Sequence, residues 1–258
     1  MKIVLLAGGL GTRMREETEF KPKPMVQIGD KPVLHHLMEI YSRFGFNEFI
    51  ILAGYRADII QDYFYNFRAR TNAFSVKTKT GEFEVHGELE DWKVTVLNTG
   101  VESLTADRLL AAKPYLGAEP FMLTYGDGLA NVDLNKLVEL HRLDTSRSVM
   151  TITALESRFG QVDVDSSGTV TSFAEKPRGR DKVNIGFFLF THEVFDYAIP
   201  GTMLEQSALK RLASDSKLQA HEHEGFWMPM DTFREYEKLN EIYRSGRAPW
   251  IEFPANSG

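Results

Sequence analysis

The apolar run Ile3 to Ala7 passes directly into a glycine-rich loop, Gly8-Gly9-Leu10-Gly11-Thr12-Arg13. A strand feeding such a loop lets backbone N–H groups approach a polyphosphate with no Cβ in the way. Two cations stand close by, Arg13 and, ten residues later, Lys23 within Lys21-Pro22-Lys23-Pro24-Met25. The two commonest phosphate loops do not fit. Read from Gly9, the dinucleotide pattern Gly-x-Gly-x-x-Gly ends on Met14, and no Gly-Lys-Ser/Thr follows the glycines as a P-loop requires.

Strand-like runs then alternate with helix-length amphipathic segments: a helix near Val33 to Phe44, a strand Glu48 to Ala53, and a helix near Ala57 to Phe67. This alternation predicts parallel strands joined by crossover helices, an α/β sheet that binds ligands at the strands' carboxyl ends. The second strand ends Leu52-Ala53-Gly54-Tyr55, with no acid to read a dinucleotide ribose. Ser75 to Val96 reads differently, as added antiparallel structure. Beyond it the pattern predicts a helix from Ala106 to Tyr115, a strand Phe121 to Tyr125, a helix from Leu134 to Asp144, and strands Val149 to Ala154, Thr169 to Phe173 and Gly186 to Phe190. Helices are expected over Leu204 to Ala213 and Thr232 to Tyr243. The charged run Arg178 to Lys182 reads as a turn.

The balance of 30 Lys and Arg against 36 Asp and Glu gives a net charge of −6, which argues against a nucleic-acid surface. There is no cysteine, so disulfides, thiolate chemistry and Cys-ligated zinc are excluded. No apolar run approaches the ~18 residues of a membrane span. The Met1 start leads straight into the glycine loop and is not expected to be a signal peptide; a cytoplasmic protein is expected. One domain over 1–258 is the simplest organisation.

Four further blocks carry chemistry. Asp127, in Tyr125-Gly126-Asp127-Gly128 after an apolar strand, has the setting of a magnesium ligand, which needs one or two carboxylates plus phosphate oxygens and water. Asp231 precedes a helix, where by itself it reads as an N-cap. Phe173-Ala174-Glu175-Lys176-Pro177 follows a short strand, and Val183-Asn184-Ile185-Gly186-Phe187 enters another. Taken in order with the glycine loop and Lys23, these blocks resemble the sugar-phosphate nucleotidylyltransferases over nearly the whole chain. Ala53-Gly54-Tyr55, Glu84-Val85-His86, Asn98-Thr99-Gly100, Arg158-Phe159-Gly160 and Gly225-Phe226-Trp227 resemble the glucose-1-phosphate cytidylyltransferases within that family.

The resemblance implies a single Rossmann-like nucleotidyltransferase domain, a mixed, mostly parallel sheet with helices on both faces and a small antiparallel insertion, with 1–130 mainly nucleotide-binding and 131–258 mainly sugar-phosphate-binding plus a C-terminal extension. It implies CTP and a sugar 1-phosphate as substrates, Mg²⁺ as cofactor and a homo-oligomer, with contacts expected near Phe64 to Phe67 and Phe226-Trp227. Arg13 and Lys23 are the implied catalytic cations. Leu6, Gly8, Gly9, Gly11, Thr12, Arg108 and Asp127 would bind nucleotide, with Arg108 reading a pyrimidine carbonyl. Glu175, Lys176 and Asn184 would bind the sugar phosphate, and Asp231 would share the metal with Asp127. No general base is needed, because the attacking phosphate is already ionised. His35, His36, His86, His221 and His223 are therefore expected in packing or surface roles.

Three departures leave the substrate open. Thr105-Ala106-Asp107-Arg108-Leu109 lacks the glycines usual in the cytidylyltransferases, Ile185 stands where the glucose enzymes have glycine, and Leu204 where they have tryptophan. If Ile185 and Leu204 both line the sugar pocket, glucose loses room there. The alternatives are another nucleotide or another sugar or polyol phosphate and, more remotely, a catalytically silent binding subunit.

Overall fold

The computed structural model describes residues 1–9, 11, 14–156, 159–175 and 178–252, and of Arg15, Glu16, Glu156, Arg178 and Arg180 the backbone alone. From the amino end run β1 (Lys2–Ala7), α1 (Arg15–Thr18), a 3-10 turn (Lys23–Met25), the short pair β2 (Gln27–Ile28) and β3 (Lys31–Pro32), then α2 (Val33–Ser42) and β4 (Glu48–Ala53). Next come α3 (Ala57–Tyr65), α4 (Phe67–Thr71), the hairpin β5 (Ala73–Val76) and β6 (Phe83–His86), β7 (Lys93–Asn98), α5 (Thr105–Leu116), β8 (Phe121–Tyr125) and β9 (Gly128–Ala130). The remainder holds α6 (Leu134–Leu143), β10 (Ser148–Glu156), the hairpin β11 (Gln161–Val164) and β12 (Val170–Ala174), β13 (Arg178–Phe190) and α7 (Val194–Tyr197). A π-helical turn (Glu205–Leu209) runs into α8 (Lys210–Ser214), followed by β14 (Leu218–Glu222), β15 (Trp227–Pro229) and α9 (Phe233–Arg244).

Seven strands form one sheet in the order β14-β10-β13-β8-β1-β4-β7. β1 lies parallel to β4 and β8, and β4 to β7, whereas β13 runs antiparallel to both β8 and β10. The sheet is thus mixed and mostly parallel, the α/β architecture expected. Alternation along β1 feeds two cores: Ile3, Leu5 and Ala7 pack on one face with Leu34, Leu37 and Met38 of α2, and Val4 and Leu6 on the other with Leu109 and Ala112 of α5. Each such aliphatic side chain contributes roughly 1.5–3 kcal/mol by leaving water, which is why an unbroken apolar strand belongs at the sheet's centre.

The structure corrects two sequence expectations. Trp92 to Val96 does not belong to the antiparallel insertion: β7 is the parallel edge strand beside β4, and the insertion is the β5–β6 hairpin alone. The charged run Arg178 to Lys182 is not a turn but the first part of β13, where Lys182 pairs with Ala154 of β10 and its ammonium meets Glu222 of β14. Asp181 and Lys182 are exposed there, which accommodates their charges. Phe64, Phe67, Phe226 and Trp227 pack against the protein's own core, with Trp227 also at the ligand cleft, while Tyr65 between the first two is 90% exposed.

Candidate active site

A cleft of about 680 Å³ opens at the carboxyl ends of the parallel strands. Its walls are Leu6, Gly8 and Gly9 leaving β1, Val101 to Thr105 after β7, and Tyr125 to Gly128 after β8, with Asn184, Ile185 and Trp227 across from them. This is the crevice where open α/β sheets bind ligands, and its size is that of a small-molecule site.

On its floor three charged groups converge from far apart in the chain. Lys23 Nζ donates to Asp127 Oδ2 at 2.9 Å and to Asp231 Oδ1 at 2.5 Å. Burial disfavours the charge on Lys23, but Asp127 and Asp231 outweigh it and hold the ammonium above its ordinary pKa. The backbone sets this convergence. Lys23 is placed by the 3-10 turn that follows Pro22. Asp127 follows β8, where Gly126 N–H donates to Leu6 O at 3.0 Å, and a Cβ on Gly126 would lie 2.6 Å from that same carbonyl. Asp231 follows β15, which pairs antiparallel with β9, and Met230 N–H donates to Asp127 O at 2.7 Å, so the two aspartates share one short ladder.

The cap of α9 completes the placement. Thr232, not Asp231, is the N-cap, and its hydroxyl accepts from Glu235 N–H. Glu235 Oε2 accepts from the backbone N–H of both Asp231 and Thr232 at 2.9 Å, a capping box that leaves the Asp231 carboxylate to face Lys23. The isolated N-cap reading of Asp231 is thereby replaced by a place in the cleft.

Arg108 is 4% exposed and makes a different contribution from base reading. Its Nη1 donates to Ala53 O (3.1 Å), Gly100 O (2.9 Å) and the Thr99 hydroxyl, and its Nη2 to Gly8 O (3.0 Å) and Val101 O (3.4 Å). Both terminal nitrogens are thus committed to the protein. The guanidinium ties together the loops after β1, β4 and β7, and it fits because Gly8 and Gly54 lack a Cβ, which would come within 2.1 and 2.4 Å of it. Across the cleft the Tyr125 hydroxyl donates to Glu205 and receives Asn184 Nδ2 at 3.4 Å, while Asn184 Oδ1 accepts from Gly186 N–H at 2.9 Å. Burial, with Glu205 alongside, pushes the Tyr125 phenol up, so it stays a donor.

Of the residues marked in the sequence, Leu6, Gly8, Gly9, Lys23, Arg108, Asp127, Asn184 and Asp231 meet at this cleft. Gly11 lies back from it, its carbonyl held by the Thr18 hydroxyl at 2.9 Å. Glu175 is exposed just past β12, beside Gly160, away from the cleft walls. Thr12, Arg13 and Lys176 lie outside the described residues. The two departures part company: Ile185 lines the cleft, whereas Leu204 is buried in the core beneath α5, and its neighbours Met203 and Glu205 reach the cleft instead. The expectation that Leu204 lines the sugar pocket is therefore corrected. Tyr125 and Glu205 were not singled out in the sequence as site residues, although Tyr125 stands two residues before Asp127.

Residues 2–245 match the nucleotidyl transferase family model. The chain is 43% identical over 255 residues to the probable glucose-1-phosphate cytidylyltransferase of Bacillus subtilis, covering 97% of this chain and 99% of that one. It is 42% identical over 254 residues to the glucose-1-phosphate cytidylyltransferase of Salmonella typhi, covering 97% and 98%. A crystal structure of UDP-glucose pyrophosphorylase complexed with UDP-glucose superposes with a TM-score of 0.69 over 95% of this chain and 99% of that one, at 18% identity, a likeness of fold. The chain belongs to the nucleotidyl transferase family.

Proposed function

We propose that this member of the nucleotidyl transferase family transfers the cytidylyl group of CTP to a sugar 1-phosphate, glucose 1-phosphate in the first instance, giving a CDP-sugar and pyrophosphate. The observation that carries the reading is the Lys23 ammonium held jointly by Asp127 and Asp231 on the floor of the cleft. The relatives that match nearly end to end bear that activity in their names. A phosphate oxygen of the sugar 1-phosphate attacks the α-phosphorus of CTP, and the bond from that phosphorus to the bridging oxygen breaks, its electron pair leaving with pyrophosphate. Two polyanions must meet, so catalysis is positioning and charge neutralisation.

Lys23 supplies a fixed positive charge where the two phosphates converge. The backbone at Gly8 and Gly9 receives the nucleotide phosphates, and Asn184 with Tyr125 faces the sugar. Arg13 on the departing pyrophosphate and Lys176 on the sugar phosphate complete the cation set by family resemblance. The donor set suits Mg²⁺: the carboxylates of Asp127 and Asp231 lie close enough together to share one ammonium, and they would hold Mg²⁺ together with phosphate oxygens and water. Bound there, Mg²⁺ would neutralise phosphate charge in the ground and transition states.

The same reading carries a cytoplasmic homo-oligomer. Exposed Val162, Val164, Val170 and Phe173 on the β11–β12 hairpin offer an apolar surface for it, which light scattering of the purified chain tests. Among the described residues no helix is long and apolar enough to cross a membrane.

Pyrophosphate release measured across four nucleoside triphosphates and several sugar 1-phosphates, with and without EDTA, tests the activity. CTP with glucose 1-phosphate and Mg²⁺ is expected to be the fastest combination. Faster turnover of another nucleotide, or none with any, would overturn the reading.

A further inference from the structure

Outside the cleft, His35 and Glu39 on α2 and Glu90 in the segment leading to β7 bring together three ligand-type atoms, all within 4.8 Å of one another. His35 is 1% exposed, and its Nε2 stands 3.5 Å from Glu39 Oε1 and 3.5 Å from Glu90 Oε1 yet makes no hydrogen bond. Its Nδ1 pairs with the Tyr63 hydroxyl at 2.8 Å, and Phe67 and Trp92 pack on the ring. A second buried nitrogen points the same way. His36 Nδ1 is 3.8 Å from Glu39 Oε2, again without a hydrogen bond. His36 Nε2 lies 2.9 Å from the Ile28 carbonyl, which places the proton on Nε2 and leaves a lone pair on Nδ1 facing the carboxylate. A buried lone pair turned toward a carboxylate, as at His36 Nδ1, is unfavourable unless a cation lies between them.

We propose that His35, Glu39 and Glu90 bind one divalent transition-metal cation of the zinc type, which pins the segment 87–92 to α2. Zinc's nitrogen and oxygen ligands stand about 2.0–2.2 Å from the metal, so the edges of its tetrahedron are about 3.3–3.6 Å. The two His35–carboxylate separations, 3.5 Å each, are already such edges. The Tyr63 hydroxyl on Nδ1 is the outer partner that orients a metal-bound imidazole. Imidazole with two carboxylates favours zinc over magnesium or calcium, which take oxygen alone. Lys31, whose Nζ now lies 2.6 Å from Glu39 Oε1, is the group a cation displaces; its side chain is 34% exposed and turns into solvent. A groove of about 330 Å³ lined by Glu39, Ser42, Glu90 and Trp92 supplies the entry path.

The test uses the full-length chain stripped with EDTA and titrated with Zn²⁺ against a chromophoric chelator in excess Mg²⁺, in an Asp127→Asn, Asp231→Asn background that silences the cleft. One equivalent of Zn²⁺ is expected, and Co²⁺ in its place should show the intense visible absorption of a tetrahedral site. Glu90→Gln and His35→Gln should each weaken binding by at least about 10- to 100-fold, the loss that removing an outer partner alone causes. Should His35→Gln fail to fold, Glu90→Gln decides, since that side chain is part-exposed in a loop. Absence of the equivalent, binding untouched by Glu90→Gln, or Zn²⁺ retained only when Asp127 and Asp231 are intact would overturn the proposal.

Discussion

Arg108→Lys separates two roles that an arginine at a nucleotide cleft can play. In the structure its terminal nitrogens serve four backbone carbonyls, of Gly8, Ala53, Gly100 and Val101, and the Thr99 hydroxyl. Lysine keeps the charge but offers three donors from a single point, which cannot span acceptors on three loops, so at least one or two carbonyls lose their partner. Each buried polar group so orphaned costs about 1–3 kcal/mol, so one or two of them give a total of about 1–6 kcal/mol. At about 2–4 °C per kcal/mol for a chain of this size, the melting temperature should fall by about 2–24 °C. Because the loops after β1 and β7 both slacken, KM should rise for every nucleoside triphosphate alike. Thermal melts by circular dichroism, with KM for four nucleotides, measure both. An unchanged melting temperature combined with loss of CTP preference alone would refute this reasoning and return Arg108 to base reading.

Four further outcomes are expected. Lys23→Ala should lower turnover by about 10²- to 10³-fold with a smaller effect on nucleotide binding, since a preorganised charge at the reacting phosphates is lost; single-turnover kinetics with and without saturating CTP would show it. Asp127→Asn should abolish the magnesium-dependent reaction while the far-UV dichroism stays that of the parent. Ile185→Gly should raise activity on glucose 1-phosphate relative to other sugar phosphates, whereas Leu204→Trp, an insertion into a packed core, should cost about 1–3 kcal/mol of stability and leave the sugar preference where it was. Glu39, whose carboxyl burial would raise but which His35 and Lys31 bring down to about 2, stabilises the fold fully above pH 4.5 and progressively less as pH falls from 4.5 toward 2. The linked contribution is about 3 kcal/mol, so acid-unfolding curves of the metal-free protein should become shallower over that window in Glu39→Gln.

The parts legible in the sequence are those whose physical signal is local. An apolar strand emptying into glycines announces β1 and the phosphate loop because both the burial and the missing Cβ are written in consecutive residues. Asp127 was legible for the same reason, set between two glycines at a strand end. The misreadings have physical causes too. Lys93-Val94-Thr95-Val96 alternates polar and apolar because β7 is the edge of the sheet and only half covered, and a half-covered parallel edge strand carries the same pattern as an antiparallel hairpin. Arg178 to Lys182 reads as a turn because charges such as the exposed Asp181 and Lys182 cost nothing in a strand, and the pairing with β10 that makes it a strand is invisible from its own residues.

What the sequence withheld most completely is the meaning of long-range partners. An arginine code letter at position 108 does not say whether its donors face a ligand or the protein, and here the answer depends on carbonyls up to 100 residues away. Likewise Ile185 and Leu204 are equivalent as substitutions in a motif, yet the fold turns one toward the cleft and the other into the core behind it. Lys23 is the instructive contrast. Its partners lie 104 and 208 residues downstream, but all three were marked, because a chain that must hold two polyanions together has to carry its few fixed charges at strand and helix ends, and those ends are what glycines, prolines and capping residues make readable. The charge arrangement of the cleft was therefore recoverable where backbone punctuation placed it, and its hydrogen-bonded scaffold was not.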